Sequence, residues 1–242
     1  MTVSRLSVSP RRIGQALLLI APIVLAGRAT AAEPAVSLPA PVHDEAVAGD
    51  AGLQRIVLAG GCFWGVQAVF EHTKGVTSAV SGYAGGSKAT AQYEMVGTGA
   101  TGHAESVAVT FDPRQISYGK ILQIYFSVAH NPTELNYQGP DVGTNYRSAI
   151  FYANDAQKRI AADYIAQLDK VHVFKEPIVT KLEALPGFYP AEAYHQDFAV
   201  LHPDYPYIVY NDLPKLANLK RLFPDYYRAT PVRVMAAGKP SQ

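Results

Sequence analysis

The residue best suited to act as a nucleophile is Cys62, which follows Gly60 and Gly61 and is the sole cysteine among 242 residues. An apolar helical pattern begins directly after it, so the thiol is predicted at the start of a helix. Backbone N–H groups and the helix dipole favour a thiolate at such a position, and the two glycines let a ligand approach closely. The alternative is a buried, inert cysteine. We expect a reactive thiol with a lowered pKa.

Glu105 could supply a proton to such a site. The alternation between Glu105 and Phe111 predicts a strand with Val107 and Val109 on the same face as the carboxyl group. Partial desolvation on an apolar face raises the pKa of a carboxyl group, which makes it a proton donor near neutral pH. If the strand instead begins at Ser106, Glu105 is a solvated loop residue. The alternation alone leaves both interpretations open.

Two aromatic residues, Phe63 and Trp64, directly follow the cysteine and could wall a small apolar pocket beside it. Trp64 lies off the helical stripe that contains Val66, Val69 and Phe70, so it is the better pocket candidate. For Phe63, a place in the helix core is the alternative.

The strands and helices that would position these residues roughly alternate along the chain. Strands are predicted at Gln54–Ala59, Glu105–Phe111, Ser148–Ala153 and, as an edge, Pro177–Leu182. Helices are predicted from Phe63, across Ile121–Ala129 and after a cap at Asn154 or Asp155. Hairpin-like connections favour a two-layer α+β sandwich over a doubly wound sheet. After Pro186 the aromatic and proline-rich sequence predicts an irregular C-terminal segment.

Composition and charge exclude several classes of protein. Lys+Arg 21 against Asp+Glu 20 gives a net charge of +1, so we expect no nucleic-acid partner. A single cysteine excludes an internal disulfide and any cysteine-rich zinc or iron–sulfur site. We expect neither a metal nor a cofactor.

The first residues predict a secretory signal peptide over residues 1–32. A positive region with Arg11 and Arg12 precedes the apolar run at 16–26, and small residues follow at 29–32. The run is too short for a bilayer span, which needs about 20 residues. We expect an exported protein, periplasmic or extracellular, with no stable membrane insertion after cleavage.

The remaining chain is predicted to contain one domain. Residues 33–52 are rich in alanine and proline, which is typical of a linker. The domain is predicted at 53–228. A flexible tail without aromatic residues is predicted at 229–242.

Four motifs occur in one order along the chain. They are GGCFWG at 60–65, GYAGG at 82–86, GHAE at 102–105 and DVGTNYRSAI at 141–150. Together, in this order and spacing over 54–203, they resemble the A-type peptide-methionine sulfoxide reductases. The resemblance implies an α+β sandwich with a ferredoxin-like βαββαβ core.

The same resemblance implies an enzyme that reduces the S epimer of methionine sulfoxide, free or in proteins. It implies Cys62 as the nucleophile, Glu105 as the acid, Phe63 and Trp64 as the methyl pocket, and Tyr93, Asp141 and Tyr146 around the oxygen. The cysteine would end each reduction as a sulfenic acid.

Many members of that family carry resolving cysteines in the C-terminal tail, whereas Cys62 has no second cysteine beside it in this sequence. We therefore expect an external reductant, either a small thiol or a thioredoxin-like protein. With the predicted export, the implied role is repair of oxidised exported proteins.

Two other functions remain open from the residues. His103, His130 and His195 could each pair with Cys62, although a structural histidine is the better interpretation of each. In a Cys–His hydrolase or acyltransferase, His103 or His195 would act as the base. A non-catalytic exported binding domain is the third possibility. Reduction consumes thiol equivalents, and hydrolysis consumes none.

Overall fold

The computed structural model describes residue 1, residues 35–45 and residues 52–234. The predicted signal peptide beyond its first residue, part of the predicted linker and residues 235–242 of the predicted tail lie outside the described residues. Within the described ranges, no helix has both the length and the apolar character that a bilayer crossing requires.

Strands form a six-stranded sheet and a small hairpin. The sheet contains β1 Gln54–Ala59, β2 Val76–Ala84, β3 Ala104–Phe111, β6 Ala149–Tyr152, β7 Lys181–Ala184 and β8 Phe188–Pro190, and the hairpin pairs β4 Tyr137–Gln138 with β5 Asp141–Val142. The sheet order is β7-β6-β1-β3-β2-β8, and every pair in it is antiparallel except β6 with β7. The protein therefore has a mixed α+β fold, and the strands predicted at 54–59, 105–111 and 148–153 are confirmed.

Within the described residues, six α-helices accompany the sheet. They are α1 Phe63–Glu71, α2 Tyr93–Val96, α3 Tyr118–Ile124, α4 Asp155–Lys170, α5 Phe198–Leu201 and α6 Leu213–Leu222. A π-helical turn over 125–129 continues α3, and another over 208–212 leads into α6. The cap predicted for α4 is confirmed, because Asn154 Oδ1 accepts from the Gln157 N–H at 2.9 Å.

The core has a part on each face of the sheet. On β3, Val107, Val109 and Phe111 belong to the larger cluster, together with Phe63 and Val66 of α1. The alternate β3 residues Ala104 and Ala108 belong to a second cluster, which includes Phe151. Since both faces of β3 are buried, a side chain at either end of this strand is also desolvated.

Part of the predicted linker packs against the domain. Over 35–45, Leu38 is buried, and its carbonyl oxygen accepts from Gln123 Nε2 at 2.7 Å. Asp44 Oδ1 accepts from the Gly119 N–H at 2.8 Å, at the start of α3. A domain side chain therefore satisfies a linker carbonyl group, and a linker carboxylate satisfies a backbone N–H of the domain. The segment 229–234 of the predicted tail is also held, since the Val232 N–H bonds the Glu71 carbonyl at 3.0 Å.

The prediction of an irregular C-terminal segment is wrong over α6. Leu213, Leu216, Leu219 and Leu222 recur every third residue on this helix, and Pro214 lies in its first turn. The stripe is short and stands among prolines and tyrosines, which hid it in the sequence. Helix α6 packs against α1 and so contributes to the surroundings of Cys62.

The edge strand predicted at Pro177–Leu182 begins later than expected, at Lys181. Upstream of it, the Ile178 N–H bonds the Asp169 carboxylate and the Val179 N–H bonds the Pro132 carbonyl. These backbone N–H groups therefore bond to neighbouring loops, and strand pairing with β6 begins only at Lys181.

Candidate active site

Cys62 lies at the junction between β1 and α1, where it is the N-cap residue of the helix and is 8% exposed. Gly61 has φ +84°, and a Cβ at this position would lie 2.5 Å from Cβ of Gln138. A Cβ on Gly60 would lie 2.9 Å from the ring of His130. Because Gln138 and His130 contact this turn so closely, only glycine fits at both positions. The turn positions the Cys62 thiol at the start of α1.

Glu105 lies within β3 and is 3% exposed, which confirms the strand interpretation over the loop alternative. Its Oε2 accepts a hydrogen bond from the Phe63 N–H at 3.1 Å. Burial raises the pKa of Glu105 to about 8, although the bond from Phe63 lowers it and the charge of Asp141 raises it further. With this raised pKa the carboxyl group is mostly protonated at neutral pH, and it lies beside the start of α1, where Cys62 is the N-cap residue.

The predicted lowering of the Cys62 pKa is wrong. Burial raises the pKa of the thiol well above its usual range, and the charges of Glu105 and Asp212 act in the same direction. The hydrogen bond that the Trp64 N–H donates to the sulfur lowers the pKa by less. The start of a helix does favour a thiolate, but burial and carboxylates from distant parts of the chain raise the thiol pKa by more than the helix start lowers it.

Phe63 and Trp64 form an aromatic wall together with three residues of the C-terminal segment. The Phe63 and His195 ring centroids lie 5.1 Å apart, and Trp64 Nε1 donates to Nδ1 of His195 at 3.2 Å. Trp64 stacks on Phe198 at 3.9 Å between centroids, and Tyr207 meets its ring edge-on at 5.9 Å. Phe63 is buried and Trp64 half-buried, so Trp64 is the one that reaches the surface.

Tyr93 and Tyr146 are half-buried, and Glu105, Asp141 and Cys62 interact electrostatically with both hydroxyl groups. Burial, followed by the charges of Glu105 and Cys62, raises the pKa of Tyr93 to about 12. Burial and the charges of Glu105, Asp141 and Cys62 raise the pKa of Tyr146 above its ordinary value. Both hydroxyl groups therefore keep their protons and can donate hydrogen bonds at neutral pH.

Asp141 completes the set of predicted residues. Its Oδ2 accepts a short hydrogen bond from the Tyr207 hydroxyl group, and its charge acts on Glu105 and on Cys62. All seven residues predicted for the site therefore gather around the β1–α1 junction.

The three histidines considered as partners of Cys62 are hydrogen-bonded to other groups. His103 bonds the Ser87 carbonyl and the Gly86 N–H. The His130 ring nitrogens lie within hydrogen-bond distance of the Tyr125 carbonyl and Ser148 Oγ, and burial lowers its pKa to about 3. His195 accepts from Trp64 through Nδ1. Within the described residues, none of these histidines is hydrogen-bonded to Cys62.

Several residues around the site were missed by sequence reasoning. They are Gln138, Glu192, Tyr207, Asp212 and Lys215. Glu192 Oε1 accepts from the Tyr93 N–H at 3.0 Å, and its Oε2 accepts from the Tyr83 hydroxyl group at 2.7 Å. The one sequence feature that marked this region was the dense aromatic composition after Pro186, and it did not identify any particular residue as part of the site.

Comparison with known proteins agrees with this geometry. The family described as "Peptide methionine sulfoxide reductase" matches residues 54–226. A peptide methionine sulfoxide reductase MsrA 2 of Mesorhizobium japonicum is 64% identical over 186 residues, which cover 77% of this chain and 95% of the relative. An MsrA 2 of Synechocystis is 47% identical over 178 residues, which cover 74% and 83%.

Solved structures are similar as well. Reduced Mxr1 of Saccharomyces cerevisiae matches with a TM-score of 0.57 and 32% identity, over 64% of this chain and 89% of that one. Methionine sulfoxide reductase A of Corynebacterium diphtheriae matches with a TM-score of 0.54 and 31% identity, over 71% and 85%. The chain therefore belongs to the peptide methionine sulfoxide reductase family and is an enzyme that reduces methionine sulfoxide.

Proposed function

We propose that this enzyme reduces the S epimer of methionine sulfoxide, free or in proteins, with Cys62 as the nucleophile and Glu105 as the acid. The observation that carries this proposal is the 3.1 Å hydrogen bond from the Phe63 N–H to Glu105 Oε2. This bond supports the proposal because it joins a buried carboxyl group, whose pKa burial raises to about 8, to the first residue of the helix that Cys62 caps.

The chemical step balances with these two groups. The Cys62 sulfur attacks the sulfoxide sulfur while Glu105 gives its proton to the sulfoxide oxygen. The transient bond between the two sulfur atoms and the S–O bond of the substrate then break, and the hydroxyl group ends on the Cys62 sulfur as a sulfenic acid. Methionine leaves, and the proton lost by the thiol restores Glu105. The substrate sulfur is reduced, and the cysteine sulfur is oxidised by the same two electrons.

The surrounding residues suit the orientation of a sulfoxide. Phe63 and Trp64 offer an apolar wall for its methyl group, and the hydroxyl groups of Tyr93 and Tyr146 can donate to its oxygen as charge develops there. Asp141, which accepts a hydrogen bond from Tyr207, adds a carboxyl group that acts on Glu105 and Cys62.

Regeneration of the thiol requires an external reductant, because the sequence contains no second cysteine. A small thiol or a thioredoxin-like protein attacks the sulfenic acid, which releases water and leaves a mixed disulfide. A second thiol then resolves that disulfide.

Export and the fold assignment extend the proposal. The signal-like sequence at 1–32 supports a periplasmic or extracellular enzyme that repairs oxidised exported proteins. The sheet order β6-β1-β3-β2, with α1 between β1 and β2, supports a ferredoxin-like core.

Turnover of separate epimers tests the proposed activity. With dithiothreitol, the enzyme is expected to convert the S epimer of free or peptide methionine sulfoxide to methionine, consuming one dithiol per product and leaving the R epimer. Chiral chromatography of the products and titration of residual thiol measure both quantities. Product formation without thiol consumption, or preference for the R epimer, would contradict the proposal.

A further inference from the structure

Beside the cysteine lies a buried ion pair that the reaction above does not use. Asp212 has a fully buried side chain, and its Oδ1 lies 3.2 Å from Nζ of Lys215, which is itself largely buried. The other carboxylate oxygen, Oδ2, is buried without a hydrogen-bond partner in the described structure. An unsatisfied carboxylate oxygen inside a protein is costly, so its retention calls for a role.

The pair is pressed against the first turn of α1. A Cβ on Gly65, the third residue of the helix, would overlap Oδ1 of Asp212 and would lie 2.7 Å from Nζ of Lys215. An acidic side chain at the third helical position is favourable because it interacts with the free N–H groups of the helix start. Here that position is a glycine, and the carboxylate comes from the residue that precedes α6.

The charges of the pair reach the reacting centre. Asp212 raises the pKa of Cys62, after burial and Glu105. Burial raises the pKa of Asp141 and of Asp212, and the positive charge of Lys215 opposes both of these rises. Several ionisable groups interact electrostatically with Cys62 or with Asp212. They are Glu105 on β3, Asp141 on β5, Tyr93 on α2, Lys215 on α6, and Tyr146 and Tyr207, which lie outside the strands and α-helices.

We propose that Asp212, paired with Lys215, is a positioning residue that keeps the Cys62 thiol protonated in the substrate-free enzyme. The inference rests on the proposed role of Cys62 as the reacting thiol. A thiolate is the form that oxidants attack, and this chain has no second cysteine to capture a sulfenic acid formed without substrate. Asp212 opposes premature ionisation, and Lys215 limits that effect so that the thiol can still react.

Alkylation of the sole cysteine tests the proposal without any substrate. The rate of modification by iodoacetamide is followed by mass spectrometry at several pH values, for the wild type and for Asp212→Asn. Asparagine preserves shape and leaves Lys215 as an unpaired cation, so we expect alkylation at one pH to be about tenfold faster, as for a pKa lowered by one unit. The double variant Asp212→Asn/Lys215→Met, with both charges removed, is expected to return toward the wild-type rate.

Lys220→Met provides the matched control, because it removes a charge from the exposed side of α6 and should leave the alkylation rate unchanged. Thiolate absorbance on protein shown to be folded by circular dichroism separates ionisation from unfolding. An Asp212→Asn protein that is folded but not faster, or a double variant as fast as the single one, would overturn the inference. Neither outcome bears on methionine sulfoxide reduction, which is measured separately.

Discussion

Replacement of Cys62 by serine should abolish methionine sulfoxide reduction while the fold persists. The side chain is the sole thiol of the chain and stands at the N-cap of α1, where serine is a favourable residue. Loss of a covalent nucleophile costs several powers of ten in rate, so turnover should fall below about one thousandth of the wild type. Dithiothreitol-dependent release of methionine measures the effect.

Two controls separate loss of the thiol from loss of the fold. Cys62→Ala removes the serine hydroxyl group as a substitute nucleophile and should be equally inactive. Circular dichroism and thermal unfolding should show folded proteins in both cases. Residual activity above a few per cent of the wild type in either folded variant would exclude the thiol mechanism.

Replacement of Glu105 by glutamine is expected to lower the rate by about 10²–10⁴, as for the loss of general acid catalysis. Glutamine preserves the shape and can still accept from the Phe63 N–H, so the α1 junction is retained. The substitution removes the proton that the buried carboxyl group holds at neutral pH. Initial rates with saturating and limiting substrate separate this effect from a loss of binding.

The pH profile supplies the specific readout for Glu105. Its pKa is raised to about 8, so the proton donor is present below that pH and is lost as the pH rises through it. Wild-type activity should therefore fall on the alkaline side near pH 8, and Glu105→Gln should lack this decline. Glu176→Gln, at an exposed carboxyl group, is the matched control. An unchanged rate and profile in Glu105→Gln would rule out the acid role.

The two central residues could be predicted because each has a local signature. Two glycines between an apolar strand and an apolar helix define a turn, and this placed Cys62 at the helix start. Alternation along β3 made a place for Glu105 on the face of Val107 and Val109 one of two open interpretations, and the structure confirms it over the loop alternative. Both signals depend on neighbours within a few positions in the sequence.

The electrostatics of the thiol could not be predicted from such local patterns. Burial reverses the expected shift in the Cys62 pKa, and the charges of Asp212 and Asp141, which come from segments far along the chain, act in the same direction. Tyr207 was one of 15 tyrosines, and only the folded chain shows that it bonds Asp141. Helix α6, which carries Lys215, was hidden because its leucine stripe is short.

A single turnover without reductant tests the central claim most directly. The enzyme is mixed with one equivalent of the S epimer, released methionine is quantified, and the intact protein and its Cys62 peptide are weighed by mass spectrometry. We expect one methionine per chain and a gain of one oxygen on Cys62, trapped by a sulfenic-acid-selective reagent. Methionine released from a chain whose Cys62 remains an unmodified thiol would contradict the mechanism.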